Sequence, residues 1–299
     1  MKIFSGLSNK PLSEKVAKEV GQKLSELDIF IFPDDERRIR VREDVLGLDT
    51  VVIESTNKPA EKNYMELFFI VDALRRSGAK TVTAVIPYLG YQRQDHVFRD
   101  GEAVSLEVIV RTLEAVGVDK MISFDMHTPR IPDLFKIPVV HLSAFSLFAE
   151  KIKKIDGKNG ILVSPDMGGI RRIKILSEFL GGMEYGSIEK NRDLATGHVE
   201  AEKITGDVKG KNVYLVDDMI STGGTILTAC NLLREKGAKN VYVFATHAVF
   251  CKEAPQILKR SRAEKIFVTD TIGIPERNKF ENLEILSVAG IVADALHSK

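Results

Sequence analysis

Short, unbroken apolar runs alternate along the chain with longer stretches in which apolar residues return every three or four positions. The runs at 51–53, 81–86, 120–124, 161–163, 212–216, 240–244, 265–268 and 284–288 are rich in Val and Ile. They lack the polar alternation of half-exposed strands, so they predict parallel strands covered by helices on both faces. The intervening stretches, such as 64–77 and 225–236, predict those helices. Strand–helix–strand alternation over the whole length points to the α/β class, with mainly parallel sheets flanked by helices.

One segment recurs. Residues 73–82 (Ala-Leu-Arg-Arg-Ser-Gly-Ala-Lys-Thr-Val) resemble 232–241 (Leu-Leu-Arg-Glu-Lys-Gly-Ala-Lys-Asn-Val), 159 positions further on. Glycine suits the end of a helix and lysine its negative pole, so both copies read as helix–Gly–strand connectors. At 299 residues the chain has room for two domains of about 150 residues each. A duplicated α/β unit fits both facts, with a boundary after residue 142, where Ser143 can cap the next helix.

Composition narrows the classes. Lys plus Arg total 43 against 42 Asp plus Glu, so there is no electrostatic footprint of a nucleic-acid binder. No 18-residue apolar run predicts a membrane span, and the first residues lack the apolar stretch of a signal peptide. The two cysteines, Cys230 and Cys251, cannot make a disulfide framework or a four-ligand zinc site; the expected compartment is reducing and cytoplasmic.

The glycines also exclude. No G-x-G and no G-x-x-x-x-G-K-[ST] occurs, which removes the dinucleotide fingerprint and the P-loop. The chain instead carries Asp217-Asp218-Met219-Ile220-Ser221-Thr222-Gly223-Gly224-Thr225 after an apolar strand. Backbone amides and a helix N-terminus at the carboxyl edge of a parallel sheet favour a phosphate, and Ser221, Thr222 and Thr225 add hydroxyls. Asp217 and Asp218 would repel phosphate but suit sugar hydroxyls or a cation. Counting 159 residues back from this loop, the first half has no glycine between Lys58 and Glu66, so only the second copy can cradle a phosphate.

This loop resembles the ribose-5-phosphate loop of the type I phosphoribosyltransferase fold. The order of further segments resembles the ribose-phosphate diphosphokinase family: Phe32-x-Asp34-x-Glu36, Arg93-Gln94-Asp95, Asp125-x-His127, Ser164-Pro165-Asp166-x-Gly168-Gly169 with Arg171 and Arg172 behind it, and Lys190-x-Arg192. The resemblance spans most of the chain and implies two tandem phosphoribosyltransferase-like domains, residues 1–142 plus 284–299 on the ATP side and 143–283 on the sugar side. It assigns Phe32, Asp34 and Glu36 to adenine, and Arg93, Gln94, Asp95 and His127 to the rest of ATP. Asp217, Asp218, Ser221, Thr222, Gly223, Gly224 and Thr225 fall to ribose 5-phosphate. Lys190 and Arg192 belong to a mobile catalytic loop, and His127 and Asp166 contact Mg²⁺. The family has Arg where this chain has His96. The implied reaction moves the β,γ-diphosphoryl group of Mg²⁺–ATP to ribose 5-phosphate, in a homodimer or higher homo-oligomer whose ATP site is shared between subunits. A phosphoribosyltransferase that consumes the product, or a non-catalytic regulatory relative, are the alternatives.

Overall fold

The computed structural model describes residues 1–156, 159–192 and 199–298, with side chains for all of these except 156, 190–192 and 199–202. The chain forms two compact units, one made of Met1–Ser143 with Thr271–Gly273 and the residues from Ser287 onward, the other of Ala144–Asp270 with Ile274–Leu286.

The first unit contains β1 (Lys2–Ser5), α1 (Lys10–Glu19), β2 (Leu27–Ile31), β3 (Arg37–Val41), β4 (Asp49–Ile53), α2 (Ala60–Arg76), β5 (Thr81–Val85), α3 (Ser105–Val116), β6 (Lys120–Phe124) and β7 (Val139–Leu142). Its sheet has the order β1-β4-β5-β6-β7, every pair parallel, while β2 and β3 form a separate antiparallel hairpin. Leu67, Ile70, Val71 and Leu74 of α2 and Leu106, Val110 and Leu113 of α3 share one buried cluster with Val52, Ala84 and Met121 of the sheet. Each such fully buried side chain stabilises the unit by about 1.5–3 kcal/mol relative to exposure.

The second unit contains α4 (Phe145–Asp156), β8 (Gly160–Ser164), α5 (Ile170–Phe179), β9 (Tyr185–Arg192), β10 (Val199–Ile204), β11 (Asn212–Ile220), α6 (Gly224–Glu235), β12 (Asn240–Ala248), α7 (Ala254–Lys259), β13 (Lys265–Thr269) and β14 (Leu283–Leu286). Its sheet has the order β10-β9-β8-β11-β12-β13-β14, parallel except for the antiparallel β9–β10 edge. Strand period two sorts the core. Val213, Leu215, Val241 and Val243 enter one buried layer, while Tyr214, Val216 and Phe244 enter the other. Burial on both faces is why these strands read as continuous apolar runs.

Segments β8, β11, β12, β13 and β14 repeat the order of β1, β4, β5, β6 and β7, and the β9–β10 hairpin holds the chain position of β2–β3. The repeated connector is a repeated structure. Gly78 (φ +82°) and Gly237 (φ +87°) both take the left-handed conformation. Each carbonyl accepts an N–H at 2.8 Å, from Gly47 and Gly210 respectively. Arg75 pairs with Asp119 and reaches the Lys80 carbonyl; Arg234 pairs with Glu264 and reaches that of Lys239.

Three expectations change. Residues from 284 onward were expected in the first domain, but Glu284 lies on β14, opposite Phe267 of β13 in the second sheet, held by Lys151 and by Lys265 at 2.6 Å. Burial opposes ionisation of Glu284, yet the two lysines outweigh it and hold its carboxyl below the usual value. From Ser287 onward the chain belongs to the first unit, where α8 (Ala289–His297) packs on α1. Second, β11 continues through Asp217 and Asp218 to Ile220, because its backbone stays paired with β12 as far as Ala248. Third, the Lys190-x-Arg192 segment, expected as a loop, forms the end of β9, with Lys190 opposite Glu202 of β10. Among the described residues no helix is long and apolar enough to cross a membrane.

Candidate active site

On the second unit, β11 brings two carboxylates to the carboxyl side of the sheet and then enters a tight turn. The side chain of Asp217 is 20% exposed and that of Asp218 only 4%. Arg172, at the start of α5, spans both, with Nη1 3.5 Å from Asp217 Oδ1 and Nη2 3.4 Å from Asp218 Oδ2. The Asp218 N–H donates to Asp217 Oδ1 at 2.8 Å. Burial and the neighbouring Asp218 carboxylate push the Asp217 carboxyl well above its usual range, and Arg172 opposes them. One guanidinium against two carboxylates leaves an acidic patch suited to hydroxyl donors rather than to an anion.

Beyond Ile220 the backbone turns sharply. Gly223, at φ +82°, is the N-cap of α6, and no side-chain hydrogen bond caps that helix. A Cβ at Gly223 would lie 3.3 Å from Leu258 and 3.4 Å from the Ala254 carbonyl of α7, so both conformation and space call for glycine. The first-turn amides of α6, with Thr225 exposed and Ser221 partly so, form a helix end whose chemistry favours an anion. Thr222 is exposed beside them and Gly224 half-buried. In the same unit Asp166 caps a short 3-10 turn, its Oδ1 accepting the Gly169 N–H at 3.1 Å.

On the first unit, Arg93 and Gln94 line a cavity of about 410 Å³ with Tyr88, Tyr91 and Gln92. Asp95 Oδ2 accepts the Thr128 hydroxyl at 2.6 Å and its Oδ1 holds His96 Nδ1 at 2.7 Å. Burial opposes ionisation of Asp95, but these two bonds outweigh it and lower its pKa. The His127 N–H donates to Gln92 Oε1 at 3.0 Å. The loops after β5 and β6 are thereby tied together, and Arg93, Gln94, Asp95 and His127 fall in one neighbourhood.

The turn between β2 and β3 borders a second cavity. Phe32 is 36% exposed, its ring edge-on to Phe30 at 4.8 Å with the Arg38 guanidinium 5.7 Å away. Asp34 Oδ1 accepts the Glu36 N–H at 3.2 Å, and Asp35 pairs with Lys62 at 2.8 Å. Glu36 lines a second cavity of about 530 Å³ with Asp35, Arg37, Glu61, Lys62, Met65 and Phe69. The two cavities adjoin, because Tyr91 of the first donates its hydroxyl to Glu61 of the second at 2.5 Å. Lys190 and Arg192 lie two positions apart on β9; their side chains fall outside the described residues.

Sequence reading missed the partners behind these groups: Gln92 under His127, Thr128 on Asp95, and Arg172 across the two aspartates. Only Arg172 carried a signal, as a basic residue after the Gly168-Gly169 pair.

Residues 1–117 match the N-terminal domain of ribose phosphate pyrophosphokinase, and residues 193–298 match the phosphoribosyl synthetase-associated domain. The chain is 39% identical over 298 residues to a ribose-phosphate pyrophosphokinase of Fusobacterium nucleatum, covering 99% of this chain and 94% of that protein. It is 40% identical over 299 residues to ribose-phosphate pyrophosphokinase 1 of Lactococcus lactis, covering 99% and 92%. The crystal structure of phosphoribosylpyrophosphate synthetase from Mycobacterium smegmatis superposes with a TM-score of 0.94 at 36% identity, covering 99% of this chain and 97% of that one. With matches of this depth over nearly the whole length, the chain belongs to the ribose-phosphate pyrophosphokinase family.

Proposed function

We infer that the chain is a ribose-phosphate diphosphokinase: the anomeric hydroxyl of ribose 5-phosphate attacks the β-phosphorus of Mg²⁺–ATP, the bond from Pβ to the oxygen bridging to Pα breaks, AMP leaves, and the hydroxyl proton is released. The observation that carries this reading is the β11–α6 junction, where an Arg172-braced aspartate pair runs into a glycine turn and an uncapped helix N-terminus. The alternatives, a phosphoribosyltransferase or a regulatory relative, have no counterpart among the relatives named above.

The amides of Gly224 and Thr225, with the hydroxyls of Ser221, Thr222 and Thr225, receive the 5-phosphate, and Gly223 opens the turn for it. Asp217 and Asp218 orient the ring hydroxyls by accepting their hydrogen bonds. Phe32 stacks on adenine while Asp34 and Glu36 accept from its amino group. Arg93, Gln94, Asp95 and His127 hold the rest of the nucleotide. Lys190 and Arg192 stabilise the charge that builds on the transferred group and exclude water.

Among the described residues no three His, Cys, Asp or Glu side chains gather as a metal cage. That fits a hard cation arriving on triphosphate oxygens and keeping its waters, for which one or two protein groups suffice. On the second unit Asp166 is exposed and spends one oxygen on Gly169, so its other oxygen would be free for a hydrated Mg²⁺; on the first unit the exposed His127 would be the other candidate contact. When bound, the ion neutralises polyphosphate charge.

The exposed Phe32 ring, together with the family's arrangement, supports a homodimer or higher oligomer in which the turn serves a neighbouring subunit's ATP. The free cysteines support a reducing, cytoplasmic setting. Incubating the chain with ATP, ribose 5-phosphate and MgCl₂ should give AMP and the 1-diphosphate one to one by ³¹P NMR. ADP as the nucleotide product, or no turnover, would overturn the reading. Mixing Phe32→Ala with Lys190→Ala chains should restore activity in mixed oligomers; absence of recovery in verified mixtures would place each site within one chain.

A further inference from the structure

The β2–β3 hairpin is a sheet of its own, and two short strands hold no fixed direction without support. Its base has apolar support, because Leu27, Ile39 and Val41 pack against the buried cluster of the first unit. Its tip does not: Phe30, Ile31 and Phe32 are exposed. The turn itself is stiff. The Phe32 N–H donates to the Glu36 carbonyl at 2.8 Å, the Asp35 N–H donates to that of Phe32 at 2.9 Å, and Asp35 is left-handed at φ +70°. A stiff turn on an unsupported tip moves as one piece, so a contact that fixes one of its atoms aims all of it.

Among the described residues two ion pairs join this tip to α2. The Lys62 and Asp35 side chains are 45% and 69% exposed, and water screens such a pair. Those of Arg37 and Glu66 are 13% and 2% exposed, so their geometry is held. Strand period two puts Arg37 on the core-facing side of β3, with Ile39 and Val41. Its Nε donates to Glu66 Oε2 at 3.1 Å and its Nη1 to the Asp35 carbonyl at 3.3 Å. The other Glu66 oxygen accepts the Leu7 N–H at 2.6 Å. A chain of bonds therefore runs from α2 and the loop after β1, through one guanidinium, to the main chain of the turn.

We propose that Arg37 and Glu66 are positioning residues for recognition of the base: acting through the turn, they set the direction in which Phe32, Asp34 and Glu36 are presented. The proposal rests on the diphosphokinase reading, in which the turn meets adenine.

Arg37→Met keeps the aliphatic stem and removes the guanidinium; adding Glu66→Gln removes the charge that the first change strands. Calorimetry with Mg²⁺ and α,β-methylene ATP, with Mg²⁺ and inorganic tripolyphosphate, and with ribose 5-phosphate reads both variants. Arg37→Met should lower the melting temperature and weaken the analogue about fivefold through lost preorganisation. Tripolyphosphate, which has no base, and ribose 5-phosphate should stay within about twofold of the parent. The double variant should regain melting temperature without regaining analogue affinity, whereas a role in stability alone would restore both. Parental analogue affinity in the double variant would overturn the proposal, as would equal weakening of analogue and tripolyphosphate. Should the stranded Glu66 charge prevent Arg37→Met from folding, the double variant alone decides by the same two comparisons. Failure of Phe32→Ala to weaken the analogue would instead strike the reading of the turn as an adenine contact.

Discussion

The two units share their connectors and differ at the ends of equivalent strands. Each has a left-handed glycine after the helix, an arginine clamp and the same main-chain bonds around it. Where β4 ends, however, Glu54 is fully buried with Glu66, and the residue facing both is Gly6, whose Cβ would sit 2.0 Å from Glu54 Oε2 and 3.0 Å from Glu66 Oε1. Arg37 pairs with Glu66 at 3.1 Å, and the Leu7 N–H donates to Glu66 Oε1 at 2.6 Å. Where β11 ends, the same inventory of two carboxylates and one arginine stays partly open beside a glycine turn. Charge count does not distinguish a structural cluster from a ligand site. Access does: the first cluster is plugged by its own backbone, and the second leaves 20% of Asp217 to meet hydroxyls.

The sharpest way to break this comparison is at the paired hairpins. Lys190→Ala on β9 should lower turnover about 10²–10³-fold with little change in ribose 5-phosphate affinity, as expected for a group acting on the developing charge. Phe32→Ala, in the turn of the equivalent hairpin, should instead raise the KM for ATP about tenfold through lost base stacking. Equal effects of both changes on KM and turnover in steady-state assays would defeat the division of labour.

Arg172→Ala should come next. It leaves Asp217 and Asp218 facing one another, costing on the order of 3 kcal/mol of stability and most of the ribose 5-phosphate affinity. Arg37→Ala in the closed cluster should cost stability without touching that affinity; chemical denaturation and calorimetry on both variants would show it. A smaller effect separates the glycines. Gly223→Ala and Gly78→Ala each force a left-handed residue, about 1–2 kcal/mol, but only the former should weaken ribose 5-phosphate binding.

The smallest change is Glu54→Gln. Burial, then the Glu66 charge, pushes the Glu54 carboxyl well above its ordinary range. Between the unfolded carboxylate range, about pH 4.3, and that raised value, the native state holds more protons than the unfolded one, so stability falls as pH rises. Glutamine removes this loss. The variant should be about 1 kcal/mol more stable near pH 8 and show no gain below about pH 4. Urea midpoints at the two pH values check it, and a gain of equal size at both would contradict a titrating Glu54.

The parallel strands were legible because burial on both faces leaves an uninterrupted apolar run, as in 212–216 and 240–244. The edge hairpins were harder. In β3, Arg-Arg-Ile-Arg-Val, long charged side chains on the exposed face mask the strand signal, and β9 and β10 are equally polar. The glycine loop and its aspartates could be read directly, since conformational freedom and charge are written in residue type. That Asp217 and Asp218 lie within a strand could not, because backbone pairing to β12 decides where a strand stops.

Residue type and order along the chain thus determined the class of fold, its duplication, the glycine turn after β11 and the family. Three-dimensional packing alone decided that Arg172 spans the aspartates, that Gln92 lies beneath His127, that β14 completes the second sheet, and that the Glu54–Glu66 pair is shut while Asp217 stays open. The reason is range: propensity and turn chemistry act over a few residues, whereas solvent exclusion and a carboxylate's partners depend on segments dozens of positions apart that only the folded chain brings together.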